Sequence, residues 1–323
     1  MSTQTIPSAV TPTLVARRRR GSNLPAGTRL RSMIAPYLFI FPGFVLYGLI
    51  MLYPTVQTVL LSFRDWQIAP GADSPWIGFD NYARAFADPV FLNSLVNAVV
   101  YTGVTVPLQI IIGLFLAVLL NSKLPGRVVF RVLFYLPVVT SWVVVSLLFR
   151  YIFSSDGGVA NWFGHDVLHI LTGDVAWFQG RWTALVAICA LGVWKGVGWA
   201  MLIFLAALTG VPTELHEAAA IDGAGAFKRF WYVSLPMIRS SMAVVVILLI
   251  IGGFNVFISV LLMTGGGPGE ETQVPLTYMY QQAFKFLDFG YGSSISFILT
   301  AIVLVISALQ YWWTRRLARK AEN

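Results

Sequence analysis

Six long apolar stretches dominate this 323-residue chain, and each has the length needed to cross a lipid bilayer. A bilayer core requires about 20 helical residues, and a backbone in hydrocarbon must satisfy its own hydrogen bonds. The charged fraction of 11% is far below the ~25% of soluble domains, which excludes a soluble globule. The sequence therefore predicts an all-α membrane protein with six transmembrane helices. The stretches are Ile34–Phe63, Leu92–Leu120, Val128–Phe153, Trp182–Thr209, Met237–Met263 and Ser294–Trp313.

Prolines interrupt the helical pattern in three of these stretches. The first is longer than one span and contains Pro36, Pro42 and Pro54, so we expect it to be tilted, kinked or preceded by an interfacial segment. Pro107 and Pro137 can kink the second and third spans, because proline removes a helical hydrogen bond. Such breaks require neighbouring helices or a cavity to satisfy the freed carbonyls.

The distribution of lysine and arginine predicts the orientation of the spans. Sixteen of these residues lie at the two ends of the chain and in or next to the connections between spans two and three and between spans four and five. Only Arg64, Arg84, Arg181 and Lys285 lie on the other side. Because lysine and arginine concentrate on the cytosolic side, both termini and the connection between spans four and five are predicted to be cytosolic.

The first 32 residues differ in composition from the rest of the chain. They are rich in Ser, Thr, Pro and Arg, and they include the run Arg17–Arg20. This composition predicts a disordered basic tail, and the closely following apolar stretch makes the basic run a topology anchor rather than a nucleic-acid site. The predicted organisation is a cytosolic tail at 1–32, a membrane domain at 33–314 and a cytosolic C-terminal tail at 315–323.

The mainly polar segment between spans four and five, residues 212–236, predicts two short helices joined by a glycine. Three alanines at 218–220 favour the first helix, and Asp222-Gly223 ends it, since glycine readily adopts the left-handed backbone of a helix C-terminus. The second helix carries an aromatic face. Such an elbow is typical of a docking element, and equally of an amphipathic connector on the membrane surface. The aromatic residues are Phe227, Phe230 and Trp231.

The amino-acid sequence of this elbow resembles a known family motif. Glu217-Ala218-Ala219, then Gly223, then Ser234-Leu235-Pro236 resembles the EAA motif of permease subunits in binding-protein-dependent ABC importers. The longer string EAAAIDGAGAFKRFWYVSLP is similar to the carbohydrate-uptake branch, except that a valine stands where that pattern usually has isoleucine. GVWKGVGWAMLIF and LLMTGGGPGEETQVPLTYMYQQAF are similar to the same permeases. By this resemblance the residues that couple to an ATPase are Glu217, Ala218, Ala219, Asp222, Gly223, Phe227, Leu235 and Pro236.

The resemblance implies a type I importer fold and a multi-subunit assembly in a prokaryotic cell membrane. The expected partners are a second, homologous permease, two cytosolic ATPase subunits, an extracytoplasmic sugar-binding protein and the sugar itself. ATP and Mg²⁺ are expected in the ATPase subunits, with no cofactor or metal in this chain and no nucleic-acid partner. The chain has no G-x-x-x-x-G-K-[ST] phosphate loop and no catalytic constellation, so an enzymatic role is not predicted.

A lysine within the fourth apolar stretch marks the candidate substrate pathway. Lys195 has no carboxylate partner in any of the six stretches, so it is either functional or satisfied by helix carbonyls. The aromatic and small residues around it and in the fifth span suit a neutral sugar, and they suit helix packing equally well. The candidate pathway residues are Trp142, Trp194, Lys195, Trp199, Gly252, Gly253 and Asn255.

Two other transporter classes compete with the sugar importer. A type I importer for another solute, such as glycerol phosphate, a polyamine or an amino acid, would share the same fold and elbow. A proton- or sodium-coupled transporter working alone predicts intramembrane carboxylates, which the six stretches lack. A membrane enzyme is disfavoured because no catalytic group is evident.

Overall fold

A computed structural model describes the backbone of residues 26–66, 73–122 and 125–322, and these residues are mostly helical. They contain no β-strand, only an isolated antiparallel bridge between Arg64 and Trp76. The longer helices are α1 (Ala26–Tyr47), α2 (Tyr53–Ser62), α3 (Asp80–Ala87), α4 (Pro89–Asn121), α5 (Arg127–Val139), α6 (Trp142–Ile152), and, after the short α7 (Val159–Trp162), α8 (Arg181–Thr209). They are followed by α9 (Thr213–Ile221), α10 (Ala226–Arg229), α11 (Leu235–Met237), α12 (Arg239–Phe254), α13 (Ile258–Met263), α14 (Pro275–Tyr280) and α15 (Phe289–Glu322).

Five helical segments of the described chain are long and apolar enough to cross a membrane. A sixth is obtained when α5 and α6, which meet at an angle of 96°, are counted as one broken span. This agrees with the six spans expected from the sequence. The five segments are Tyr37–Ser62, Pro89–Asn121, Arg181–Thr209, Arg239–Met263 and Phe289–Thr314.

The chain divides into two compact units, residues 1–56 and residues 57–323. In the first unit α1 begins at Ala26, so residues 26–32 of the predicted disordered tail are helical, whereas residues 1–25 lie outside the described part. A π-helical turn at Gly48–Leu52 follows α1. It lies just before Pro54, which lacks the N–H that would bond to the carbonyl of residue 50.

In the second unit the two intramembrane prolines behave differently. Helix α4 continues through Pro107 without a break, and it makes its most extensive contact with α8. Helix α5 instead ends two residues after Pro137, and α6 starts in a new direction after Ser141. Of the two predicted kinks, the break after Pro137 is the pronounced one. The predicted C-terminal tail is also regular, because α15 continues to Glu322.

Helices α4 and α8 form the most extensive helix pair of the second unit, because glycines let them approach closely. A methyl group added to Gly113 would lie 2.9 Å from Ala200 Cβ. A methyl group added to Gly192 would lie within 2.2 Å of the Tyr101 hydroxyl oxygen. The glycines on each helix therefore receive side chains from the other helix.

A polar cluster fastens the start of α4 to α14 and α15, at the end of the bundle away from residues 212–236. The Asp88 carboxylate accepts hydrogen bonds from the N–H of Val90 at 2.9 Å, from the Tyr291 hydroxyl at 2.6 Å and from the Tyr278 hydroxyl. Partial burial would raise the pKa of Asp88, but these hydrogen bonds outweigh burial and lower it below its usual value. The cluster therefore favours an ionised Asp88.

Candidate helical elbow and membrane cavity

Residues 212–236 form the helix–glycine–helix elbow that the sequence predicts. Helix α9 ends at Ile221, and Gly223 adopts a left-handed backbone with φ +76°. The N–H of Ala224 then bonds to the Ala219 carbonyl at 2.9 Å, which closes the C-terminal turn. The second arm consists of α10, a π-helical turn and α11, and it ends at Met237, one residue after the predicted segment.

The elbow presents its candidate residues on its surface. Two of the eight, Ala219 and Leu235, are half-buried, whereas the other six are exposed. Phe227 is 75% exposed and packs edge-to-face on Trp231, which is 48% exposed. Exposed aromatic side chains suit either a docked partner or the membrane surface, the two roles that remained open from the sequence. The exposed candidates are Glu217, Ala218, Asp222, Gly223, Phe227 and Pro236.

The inner side of the elbow rests on its own helix bundle. Val233 packs against the apolar cluster formed by α4, α8 and α12, and Ile238 lies inside that cluster with 2% of its surface exposed. Phe230 and Ser234 line a small pocket together with Leu208 of α8 and other residues from the ends of the helices. The predicted aromatic face is thus divided, with Phe230 directed toward the bundle and the other two aromatic residues on the surface.

A cavity of ≈ 410 Å³ lies among α4, α5, α6, α8 and α12. Its lining combines aromatic rings, hydroxyl groups and one amide with small and aliphatic residues. Lys195 is the only charged residue among the described residues that line it. The polar and aromatic lining residues are Tyr101, Thr105, Gln109, Trp142, Lys195 and Trp199.

The structure brings five of the seven predicted pathway residues together and separates two. Trp142, Lys195, Trp199, Gly252 and Gly253 line the cavity. The remaining two predicted residues lie elsewhere. The Trp194 ring is tilted against the Phe149 ring at a centroid distance of 5.5 Å, and the Asn255 side chain donates to the carbonyl of Ile251 in its own helix.

Trp194 instead lines a larger groove of ≈ 890 Å³ on the other side of α8. The groove lining consists of aliphatic and aromatic side chains with one proline and one cysteine, Cys189. It offers few hydrogen-bonding groups to a polar ligand, so the smaller cavity is the better candidate for a solute site.

The two adjacent glycines of α12 have different surroundings. A methyl group added to Gly252 would have no other atom within 4 Å, so this position faces open space. A methyl group added to Gly253 would lie 2.6 Å from the Thr102 hydroxyl oxygen, so this position is a helix contact. Of the two interpretations left open for these residues, a pathway position suits Gly252 and a packing role suits Gly253.

The buried lysine is satisfied by backbone carbonyls. Lys195 is 4% exposed, and its Nζ donates to the carbonyl oxygens of Pro137 at 2.8 Å, Val138 at 3.4 Å and Thr140 at 2.6 Å. It also lies 4.9 Å from the centroid of the Trp142 ring. The geometry supports the interpretation of Lys195 as a lysine satisfied by helix carbonyls.

One wall of the cavity was not predicted from the sequence. Tyr101, Thr105 and Gln109 of α4 lie at i, i+4 and i+8 and therefore share one helix face. Gln109 Nε2 donates to the Gly192 carbonyl of α8 at 2.9 Å. A polar stripe with helical spacing inside an apolar stretch was the pattern that could have revealed this wall.

A bundle of apolar, membrane-length helices with a polar cavity and an exposed helical elbow defines a multi-pass membrane transport subunit. The chain belongs to the family described as binding-protein-dependent transport system inner membrane component, whose pattern matches residues 109–323. It is a permease of the ABC transporter type, and its fold is that of type I importer permeases.

Individual relatives and a solved structure match most of the chain. The arabinooligosaccharides transport system permease AraP of Halalkalibacterium halodurans is 35% identical over 288 residues, covering 87% of this chain and 88% of the relative. The lactose transport system permease LacF of Rhizobium radiobacter is 33% identical over 283 residues, covering 86% and 93%. A bacterial alginate ABC transporter, solved with a pentasaccharide-bound periplasmic protein, aligns with a TM-score of 0.78 at 20% identity, covering 90% of this chain and 98% of that chain.

Proposed function

We propose that this chain is a sugar-translocating permease subunit of an ATP-driven importer. The observation that carries the proposal is the cavity, whose aromatic rings, hydroxyls and amide suit stacking on and hydrogen bonding to a saccharide. Relatives named for arabinooligosaccharide and lactose transport support a saccharide as the solute.

The proposed assembly contains a second, homologous permease, two cytosolic ATPase subunits and an extracytoplasmic sugar-binding protein. A binding protein is supported by the alginate transporter, which was solved in complex with its periplasmic protein. The uneven distribution of lysine and arginine supports cytosolic termini and a cytosolic elbow in the prokaryotic cell membrane. ATP and Mg²⁺ are assigned to the ATPase subunits, and this chain is assigned no catalytic role and no cofactor.

The elbow is assigned the coupling role. The exposed surface formed by Glu217, Ala218, Asp222, Gly223 and Phe227 would receive an ATPase subunit. The half-buried Ala219 and Leu235 would support this surface from the bundle side, and the exposed Pro236 would lie at its edge. ATP-driven closure of the ATPase pair would then be transmitted to α4, α8 and α12, because Val233 and Ile238 pack into the cluster that these helices form. The helices would thereby alternate access to the cavity.

Reconstitution of the complete transporter tests the solute and the energy source. A thermal-shift screen first identifies which solute stabilises the co-encoded binding protein. Uptake of that solute into proteoliposomes is then measured with and without ATP on the ATPase side. We expect a saccharide to stabilise the binding protein and to be imported only with ATP. Import of an amino acid or polyamine would contradict the sugar assignment, and import without ATPase subunits would contradict the ABC mechanism.

Two glycines of the elbow form a matched pair for testing coupling. Gly223→Asp places a side chain at φ +76°, a left-handed conformation that costs most residues about 1–2 kcal/mol and Asp less, and puts it on the proposed docking surface. Gly225→Asp adds the same charge two residues away, where φ is −66° and the backbone suits any residue. At either position the added Cβ would have no atom of the described residues within 4 Å.

We expect Gly223→Asp to abolish sugar uptake and co-purification of the ATPase, with membrane insertion unchanged. Gly225→Asp should retain most of the sugar uptake and most of the co-purification of the ATPase. Normal uptake and normal ATP hydrolysis with Gly223→Asp would refute the coupling role of the bend. Equal losses in the two variants would assign the effect to surface charge instead.

A further inference from the structure

The broken third span leaves backbone carbonyls inside the membrane region without helical donors. Helix α5 ends at Val139, and α6 begins at Trp142 after a turn of 96°. The N–H groups that would bond to the carbonyls of Pro137 and Val138 in a continuous helix are therefore displaced. In hydrocarbon, such carbonyls require a donor from elsewhere in the protein.

Lys195 supplies these donors from the neighbouring helix α8. An ammonium group has three N–H donors, and three backbone carbonyls of the break lie within hydrogen-bonding distance of its Nζ, those of Pro137, Val138 and Thr140. The number of donors thus equals the number of carbonyls. The Thr140 hydroxyl adds a bond of 2.6 Å to the Pro137 carbonyl within the break itself.

The same ammonium group lies between the break and the cavity. Its Nζ is 4.9 Å from the centroid of the Trp142 ring, and both residues line the cavity. Trp142 is the first residue of α6, so its direction depends directly on how the break is held. A group that fixes the break therefore also fixes one aromatic wall of the cavity.

We infer that Lys195 is a positioning residue that pins the break between α5 and α6 and thereby orients Trp142 in the cavity. Because its three N–H donors are directed at these backbone carbonyls, Lys195 has none left for the solute. The effect on uptake rests on the proposed sugar transport, whereas the pinning of the break does not.

Distance measurements between spin labels test whether Lys195 holds the break between α5 and α6, and they require no sugar. In a cysteine-free Cys189→Ala background, labels at Val132 on α5 and Val144 on α6 occupy exposed positions on either side of the break. In the assembled transporter that retains Lys195, we expect one narrow distribution of distances between the two labels. Lys195→Met should broaden or shift it, and Lys195→Arg, which keeps the cation and its donors, should restore it.

Uptake by the same variants tests the consequence for transport. Lys195→Met should lower uptake of the cognate sugar, because buried carbonyls of the break lose their donor and Trp142 is no longer held in one direction. Lys195→Arg should recover most of the uptake, and Lys195→Gln, which keeps amide donors without charge, should be intermediate. Should the methionine variant fail to assemble, the glutamine variant provides both readouts.

Two results would overturn the inference. An unchanged distance distribution together with unchanged uptake in Lys195→Met would show that the break does not need the lysine. An unchanged distribution with loss restricted to acidic saccharides would make Lys195 an anion ligand. Absence of sugar uptake in the unmodified transporter would refute the proposed function alone, since the distance measurement would still test the pin.

Discussion

Adjacent glycines in α12 provide a strong test of the cavity, because one faces open space and the other faces a neighbouring helix. Leucine at position 252 would project into the cavity of ≈ 410 Å³, and its Cβ would have no atom of the described part of the chain within 4 Å. Four added carbon atoms, each about the size of a water molecule, occupy on the order of 100 Å³. Gly252→Leu should therefore fill about a quarter of the cavity without straining the helix packing.

Leucine at position 253 should have the opposite effect on stability. The added Cβ would lie 2.6 Å from Oγ1 and 3.0 Å from Cγ2 of Thr102, so α4 and α12 would have to separate. Overpacking of this kind costs about 1–3 kcal/mol. Thr102→Ala removes these two clashing atoms. Adding it to Gly253→Ala should therefore recover part of the stability that Gly253→Ala loses.

The assay combines sugar uptake by the reconstituted transporter with thermal unfolding of the purified complex. We expect Gly252→Leu to reduce uptake at least about tenfold with an unchanged unfolding temperature. Gly253→Leu should lower the unfolding temperature and the yield of the assembled complex. Wild-type uptake by Gly252→Leu would refute the assignment of this cavity to the solute pathway. Equal destabilisation by both leucines would show that both glycines serve packing.

Two further predictions concern the loops and the polar cluster at the start of α4. In a chain lacking Cys189, single cysteines at Asp73 and Asp174 should react with impermeant reagents from outside intact cells, and one at Ser22 should not; reversed labelling would contradict the proposed orientation. Asp88→Ala should destabilise the transporter by on the order of 1 kcal/mol at pH 7 through loss of the α4 cap. Because hydrogen bonds lower the folded-state pKa of Asp88, its stabilisation is present above the unfolded pKa of about 4 and lost as pH falls through the folded value. The stability difference between wild type and variant should therefore shrink in acid, and a difference that grows in acid would contradict this role.

The positions of the helices and the bend of the elbow follow from local sequence. Apolar stretches of membrane length define the spans, and Asp222-Gly223 marks the bend because a left-handed backbone at that point favours glycine. These features depend on residues close together in the chain, so the sequence alone was sufficient to predict them.

Which residues line the cavity depends on the direction of each side chain around its helix, and residue type alone does not give that direction. Successive helical residues are about 100° apart, so Trp194 and Trp199 lie about 140° apart around α8, whereas Lys195 and Trp199 share a face. Helical spacing would thus have separated Trp194 from the other pathway residues. The carbonyl partners of Lys195 could not have been predicted in this way, because they belong to a break in another span.

The interlocking of α4 and α8 determines which walls of the cavity are free to move. Tyr101 and Gln109 occupy the spaces beside Gly192 and Gly196, so sliding one helix along the other would force both side chains out of these spaces. We therefore expect the two helices to move together as one rigid pair, so that the cavity wall they share keeps its shape. Because Lys195 also ties the α5–α6 break to α8, we expect a change in the shape of the cavity to come chiefly from α12, whose displacement against this helix pair would open or narrow the space.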